Sequence, residues 1–313
     1  MTGSPSPAVP GSSRRSDGEL GVAAAVGAHL MWGMFPIFFG LLAPAGAVEI
    51  LAHRMLWTLF VMLTIGALLH RLSRLRTLTP KAVAIVAGAA LMISVNWGTY
   101  IYGVLSGRVV ETALGYFVNP LVSVLLGMIV FLERVNRWQA AALGLAAVAV
   151  LVLTIDYGRP PWIALVLASS FGAYGLLKKV VPLDPVTSLT AEGVVTAPFA
   201  IGYLVFLSVT GTGTFVGHGA GHTLLLMAAG VVTAVPLLLF GAAAKRVPLV
   251  ALGIIQYLTP SLQMLWGVAV LHEDMPGSRW AGFALIWLAL LIFTTDAVRR
   301  VRRSRRTVLV PAG

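Results

Sequence analysis

Four of the ionisable side chains inside long apolar stretches of this sequence are candidates for chemistry. Glu49, His53 and Arg54 share one stretch, and Glu192 lies in another. A charged group at the centre of a hydrocarbon layer costs about 2.5–3.5 kcal/mol, so each of them requires a partner or a function. The spacing of Glu49 and His53 puts both on one side of a helix. We predict that His53 and Arg54 bind substrate in an anion- or proton-handling cluster; the structural alternative is an Arg54 that snorkels outward or pairs with Glu49.

Glu192 is the first candidate for exchanging a proton during function. A carboxyl group that is shielded from water can bind and release a proton within the physiological pH range. Glu49 occupies the equivalent position in an internal repeat described below, and it is the second proton-coupling candidate. The structural alternative for Glu192 is a neutral, hydrogen-bonded acid that only stabilises its helix.

Amide and aromatic side chains also indicate a binding cavity. Asn96, Trp97 and Tyr100 combine a hydrogen-bonding amide with a large aromatic surface, which is typical of sites for drug-sized or aromatic ligands. Trp97 could instead belong to an aromatic belt at the membrane interface. Polar residues next to two prolines are further predicted substrate contacts, with helix packing as the alternative: Tyr116, Asn119, Gln256, Tyr257 and Thr259.

Four prolines inside apolar stretches are predicted hinges. A proline in a membrane helix leaves a carbonyl free one turn earlier and permits the helix to bend. The predicted hinges are Pro120, Pro260, Pro36 and Pro236.

Metal and cofactor chemistry is not indicated. The sequence has no cysteine, which excludes thiolate metal sites and disulfides. His218 and His222 have a spacing seen in helical zinc sites, but the glycines between them disfavour a helix. A glycine-rich loop that could cradle ATP phosphates is also missing. We predict no metal, no cofactor and no catalytic residue.

Composition indicates that these residues lie in a membrane. Of 313 residues, 58% are apolar and 11% are charged, against about 25% charged in a soluble domain. Apolar stretches of about 20 residues cross a bilayer as helices, whereas barrel strands alternate in polarity over about 10 residues. The prediction is an all-α integral membrane protein with ten transmembrane helices, near residues 20–42, 48–69, 80–103, 109–132, 138–155, 160–179, 186–208, 222–243, 248–271 and 279–297.

Basic residues predict the orientation of these helices. With the N-terminus inside, eighteen Lys and Arg residues fall on the inner side and three on the outer side. Because cytoplasmic loops carry the excess of Lys and Arg, both termini are predicted to be cytoplasmic. Residues 1–19 are predicted to be a disordered tail. The basic tail, residues 299–313, is predicted to contact anionic lipid and not nucleic acid.

The apolar region contains an internal repeat. Residues 115–120 resemble residues 255–260 at an offset of 140 residues. The repeat is five spans long, and an odd number of spans forces the second copy to cross the membrane in the opposite direction. We therefore predict two inverted five-helix halves, residues 20–156 and 157–298, an arrangement typical of secondary carriers. A duplication that serves only folding is the alternative.

Specific motifs point to one family. They are the stretches EILAHR at 49–54, NW at 96–97, ETALGYFVNPL at 111–121, YGLLKK at 174–179, PLLLF at 236–240 and QYLTP at 256–260. With these motifs the chain resembles the RarD group of EamA-type permeases, in the drug/metabolite transporter superfamily, over residues 20–298. The resemblance implies a bacterial inner-membrane permease. The name of the group refers to chloramphenicol sensitivity, which does not identify the substrate.

These observations predict a secondary active transporter and not an enzyme. It would move small organic molecules, such as a drug or an amino acid, across the bacterial inner membrane by alternating access. Coupling to protons and assembly as a monomer or a homodimer are both left open. The alternative is an intramembrane enzyme that acts on a lipid-linked substrate. Such an enzyme would need paired acids at one membrane face, whereas the acids here are scattered over both faces.

Overall fold

The regular structure of the protein is helical. A computed structural model describes residues 11–132, 134–180 and 183–308, and no β-strand occurs in these ranges. The elements are α1 (Gly11–Gly33), α2 (Phe35–Gly40), α3 (Ala47–Leu68), a 3-10 helix (Leu72–Thr77), α4 (Pro80–Leu105), α5 (Val109–Phe131), α6 (Arg137–Tyr157), α7 (Trp162–Val180), α8 (Pro185–Thr210), α9 (Ala220–Ala244), α10 (Leu249–Ile255), α11 (Leu258–Ala269) and α12 (Gly277–Val308).

Nine helices within the described ranges are long and apolar enough to cross a membrane, where we predicted ten. The predicted span 248–271 consists instead of two short helices, α10 and α11. Pro260 has no N–H to donate to Gln256, and its ring crowds that carbonyl. The helical turn is tighter there, because two backbone N–H groups donate to the carbonyl three residues earlier instead of four. These are Thr259 N to Gln256 O and Tyr257 N to Ile254 O. The segment predicted as a single ninth span is therefore interrupted.

Both predicted tails contain helix. Helix α1 begins at Gly11, within the tail that was predicted to be disordered, and residues 1–10 lie outside the described residues. Helix α12 continues to Val308, which makes most of the predicted basic tail an extension of the last apolar helix. The remaining residues 309–313 also lie outside the described part of the chain.

The two ends of the bundle differ in charge. We call the end that carries the 3-10 helix the basic end; the loop between α8 and α9 lies at the opposite end. At the basic end, Asp184 caps α8 by accepting from Thr187 N at 3.2 Å, and it pairs with Arg71 and Arg74 at 3.0 Å. Burial opposes the charged carboxylate, but these hydrogen bonds outweigh it and lower the pKa of Asp184 to about 2. The cluster therefore stays charged at physiological pH.

Helix packing follows the same pattern in the two halves. Helices α3, α4, α5 and α6 correspond in the sequence repeat to α8, α9, α10–α11 and α12, and α1 corresponds to α7. Helix α4 packs on α7 as α9 packs on α1, and α5 packs on α7 as α11 packs on α1. Helix α3 packs on α9 as α8 packs on α4. The contacts α3–α8, α5–α11 and α6–α12 each join a helix to its own counterpart.

Candidate functional site

One face of α3 carries polar side chains whose bonding capacity is not satisfied. His53, Arg54, Trp57 and Thr58 lie at positions that share one side of a helix. Each has a buried nitrogen or oxygen without a hydrogen-bond partner. A buried polar atom left in this state costs about 1–3 kcal/mol. Five such atoms on four residues mark this face, which we call the α3 polar face, as the strongest candidate for binding a ligand.

Arg54 is the centre of the α3 polar face. Its side chain is 3% exposed, so the predicted alternative of a snorkelling arginine is wrong. Its Nε donates to Thr233 Oγ1 of α9 at 2.8 Å, and Nη1 has no partner. Among the described residues, no carboxylate forms an ion pair with it, so the predicted alternative of a pair with Glu49 is wrong as well.

Aromatic rings surround the Arg54 guanidinium. Its central carbon lies 4.0 Å from the ring centre of Trp97, 5.3 Å from Phe35 and 5.5 Å from Phe39. Such contacts stabilise a cation by about 0.5–2 kcal/mol without neutralising its charge. Trp97 is half-buried, and its ring packs against the Arg54 guanidinium.

Helix α9 approaches the α3 polar face closely. At Gly230 a Cβ atom would collide with the backbone of Trp57, so only glycine permits this distance between the helices. Thr233 lies one turn further along α9 and accepts the hydrogen bond from Arg54. Pro236 lies within the continuous helix α9, on the next turn. The second half of the chain thus supplies one wall of the site.

A cavity of about 470 Å³ lies between α3, α8 and the loop at the end opposite the basic end. His53 and Trp57 line it from α3, and Glu49 lines it one turn earlier. The loop closes over this corner: Thr214 N donates to Glu49 Oε1 at 2.6 Å, and the Phe215 ring stacks on His53 at 4.7 Å. Sequence analysis identified Glu49 and His53 but not the loop residues, because nothing local indicates what a Gly/Thr-rich loop contacts.

Asn96, Tyr100 and Tyr116 form a polar group beside Arg54. Asn96 Nδ2 donates to Leu167 O at 2.9 Å and to Ser170 Oγ at 3.2 Å, so its donors are used to join α4 to α7. Tyr116 donates to Asn96 Oδ1 at 3.4 Å. Tyr100 is 2% exposed; the Gln263 side chain lies near its hydroxyl, but neither Tyr100 OH nor Gln263 Oε1 completes a hydrogen bond. Of the three predicted contacts, Tyr100 is the one with a free buried group.

Glu192 is not an isolated carboxyl group. It accepts from Lys178 Nζ at 2.6 Å, from Ser188 Oγ at 2.9 Å and from Tyr174 OH at 3.2 Å. The sequence analysis did not anticipate Lys178 as its partner. Glu192 also borders a cavity of about 20 Å³, which is lined by Thr58 and Trp97. Trp97 is the residue whose ring contacts the Arg54 guanidinium.

The second group of predicted contacts lies around the break between α10 and α11. Thr259 Oγ1 donates to His29 O at 3.0 Å and lies 2.9 Å from His29 Nδ1. Tyr257 stacks on Phe117 at 6.5 Å. Gln256 is the residue that caps the end of α10, and Pro260 is the third residue of α11.

His29 was missed by sequence analysis. It is buried, its Nε2 has no partner, and it touches the rings of Trp32 and Phe240. The signal was present, since a histidine inside an apolar stretch is the criterion that selected His53. We attach no function to it here beyond its contact with Thr259.

The remaining predicted residues have mixed surroundings. Pro120 lies inside the continuous helix α5, and the Asn119 Oδ1 next to it is buried without a partner. Pro36 is the second residue of α2, which follows the break at Met34. Two of the four predicted hinges, Pro36 and Pro260, thus lie at real helix breaks, while Pro120 and Pro236 do not.

Acidic residues at the end opposite the basic end cap helices of other segments. Glu111 accepts from Ile163 N at 3.1 Å and pairs with Arg159 at 2.7 Å, so it caps α7 and not its own helix. Glu273 accepts from Val109 N at 2.6 Å at the start of α5. Burial raises the pKa of Glu273, opposed by these backbone bonds. In the described ranges no group of three or more His, Asp or Glu side chains could hold a metal ion.

Comparison with known proteins gives a consistent result. Residues 19–155 match the model of the EamA-like transporter family. The chain is 53% identical over 289 residues to Protein RarD of Streptomyces exfoliatus, covering 92% of each chain. It is 40% identical to the uncharacterized transporter YojE of Bacillus subtilis (strain 168), covering 93% of this chain and 99% of that one. A crystal structure of 18% identity superposes with a TM-score of 0.58 over 87% of this chain and 96% of that one, which indicates a shared fold.

Proposed function

Because the chain belongs to the RarD group of EamA-type transporters, we propose that it is a secondary active carrier of small organic molecules in the bacterial inner membrane. The observation that carries this proposal is the α3 polar face. Its unsatisfied groups are buried at a contact between the two halves, where the α9 residue Thr233 holds Arg54. A protein that only needed to fold would gain stability by replacing them with apolar residues.

Alternating access between two inverted halves is the proposed mechanism. The 140-residue repeat and the exchange of packing partners between the halves both support it. In inverted repeats, the two halves can exchange conformations, so one structure implies a second one open to the other side. The breaks before Pro36 and Pro260 are the places where we expect helices to bend.

We expect the carrier function to appear as substrate counterflow. The full chain would be reconstituted in proteoliposomes and tested, with and without an imposed pH gradient, against a panel of amphenicols, amino acids, organic acids and organic amines. Exchange of at least one compound above protein-free vesicles is the expected result. If no compound exchanges, while thermal unfolding shows a folded protein, the carrier proposal is wrong.

Both termini are proposed to be cytoplasmic, on the charge difference between the ends. The chain has no cysteine, so single cysteines can report the orientation. In intact cells a membrane-impermeant maleimide should label Thr212→Cys, which is exposed at the end opposite the basic end. It should label Ser73→Cys, exposed in the 3-10 helix, only after the membrane is permeabilised. The reverse pattern would show that the orientation is inverted.

A further inference from the structure

The Arg54 site lacks a negative charge. Among the described side chains, Arg54 is the one Lys or Arg that is buried, and no Asp or Glu pairs with it. The acids on the helices around it are engaged elsewhere: Glu49 accepts from the Thr214 backbone, and Glu192 pairs with Lys178. An uncompensated charge away from water is unfavourable, and an anion bound beside it would remove that cost.

Two hydrogen-bond donors without partners lie near the ring of Phe39. Arg54 Nη1 and the Tyr100 hydroxyl are both buried without partners. The guanidinium lies 5.5 Å from the centre of the Phe39 ring, and the Tyr100 ring lies 6.0 Å from it. A carboxylate has two oxygens and accepts only, so it matches one guanidinium nitrogen and one hydroxyl. Hydrogen bonds of this kind to a charged acceptor are about twice as strong as neutral ones.

The residues around Arg54 also restrict the charge and the polarity of the ligand beyond its carboxylate. A doubly charged phosphate would call for a second permanent cation, and Arg54 is the one buried Lys or Arg in the part of the chain that the structure describes. A zwitterion would need an acid beside Arg54 for its ammonium group, whereas Glu192 pairs with Lys178 and Glu49 faces the 470 Å³ cavity, where its Oε1 accepts from Thr214 N. The rings of Trp97, Phe35 and Phe39 favour an apolar or aromatic body.

We infer that the substrate of this carrier is a monocarboxylate with an apolar or aromatic body, whose carboxylate binds Arg54 and the Tyr100 hydroxyl. This inference rests on the proposed carrier function, since it names the class of molecule that the same site would move. It makes Arg54 the counter-ion of the substrate and Tyr100 a second donor to it.

Matched pairs of ligands test the charge requirement. The full chain in lipid nanodiscs would be unfolded thermally with a panel of aromatic and aliphatic monocarboxylates and with the primary amide of each. The amides keep the shape and lose the charge. At least one carboxylate is expected to raise the unfolding temperature, with its amide at least about 100-fold weaker. If no carboxylate binds, or if amides bind equally well, the inference is overturned.

Tyr100→Phe tests the site without a large risk to the fold, because the hydroxyl that it removes has no partner. It should weaken carboxylate binding about tenfold and leave the ligand-free unfolding temperature unchanged. Tyr102→Phe is the matched control, since Tyr102 lies on the same helix with 42% of its surface exposed. Equal affinity of Tyr100→Phe and the unchanged chain would contradict the role of Tyr100.

The counterflow assay separates this inference from the carrier proposal. Exchange of neutral or cationic compounds, with no carboxylate bound, would keep the carrier and overturn the monocarboxylate substrate. Charge-dependent binding of a carboxylate with no exchange of any compound would support the ligand class and contradict the carrier. Binding and exchange of the same carboxylate are expected.

Discussion

Replacing Arg54 with glutamine is expected to reduce counterflow by at least about 100-fold without destabilising the protein. Removing one partner of a desolvated charge pair typically costs about 2–5 kcal/mol of binding free energy. The free energy of unfolding should fall by no more than about 1 kcal/mol, because the variant also removes a buried charge that no protein group neutralises. Counterflow in proteoliposomes and thermal unfolding of the same preparation measure the two effects.

The matched control for Arg54 is Arg76→Gln, an exposed arginine at the basic end. It should retain full counterflow and full stability. Arg54→Lys keeps the charge but lacks the planar group that donates to Thr233 and lies over Trp97, so it should recover only part of the activity. A loss of several kcal/mol of stability in Arg54→Gln would instead show that Arg54 is a structural residue.

Replacing Glu192 with glutamine is expected to abolish accumulation driven by a pH gradient while counterflow persists. A carboxyl group that takes up and releases the coupling proton is needed for the first process but not for exchange. The measurement compares gradient-driven uptake with counterflow, both normalised to folded protein. Accumulation that survives in Glu192→Gln, or an equal loss of both processes, would exclude Glu192 as the coupling residue.

The Lys178–Glu192 ion pair supplies the control for that experiment. Glu192→Gln should also lower the free energy of unfolding by about 2 kcal/mol, less than the usual cost of breaking a buried pair, because the Lys178 side chain is 29% exposed. Lys178→Gln should cost a similar amount yet keep gradient-driven uptake, since the carboxyl group remains. The double variant should recover most of the lost stability. This pattern separates a structural role from proton coupling.

The internal repeat predicted equivalent positions but not equivalent surroundings. Glu49 and Glu192 match in the repeat, and each is a buried acid near one end of its helix. Glu49 accepts from the backbone of the loop after α8, whereas Glu192 pairs with a lysine of α7. The difference arises because the two acids meet different segments of the chain, and such contacts are set by tertiary packing.

The break between α10 and α11 is a second feature that the internal repeat did not predict. Pro120 and Pro260 occupy equivalent positions, and the same motif logic applies to both. Helix α5 continues through Pro120, while α10 ends at Ile255 and α11 begins at Leu258. A proline permits a break without requiring one, so the packing around each segment decides the outcome.

Much about this protein followed from the order of its residues alone. Apolar stretches and sparse charge determined that it is a helical membrane protein, and the motifs determined its family, because insertion into lipid depends on composition and length more than on contacts. Ionisable residues in those stretches also identified Glu49, His53, Arg54 and Glu192 as residues that require explanation.

Only the tertiary structure decided which of these charges is satisfied. In the structure Glu192 pairs with Lys178, and Glu49 accepts from the backbone N–H of Thr214. Arg54 lies among aromatic rings, and its Nη1 has no partner. Partners that lie more than a hundred residues apart, such as Arg54 and Thr233, leave no local pattern in a sequence. The physical reason is that desolvation and pairing depend on every helix that packs around a charge, and those helices come from both halves of the chain.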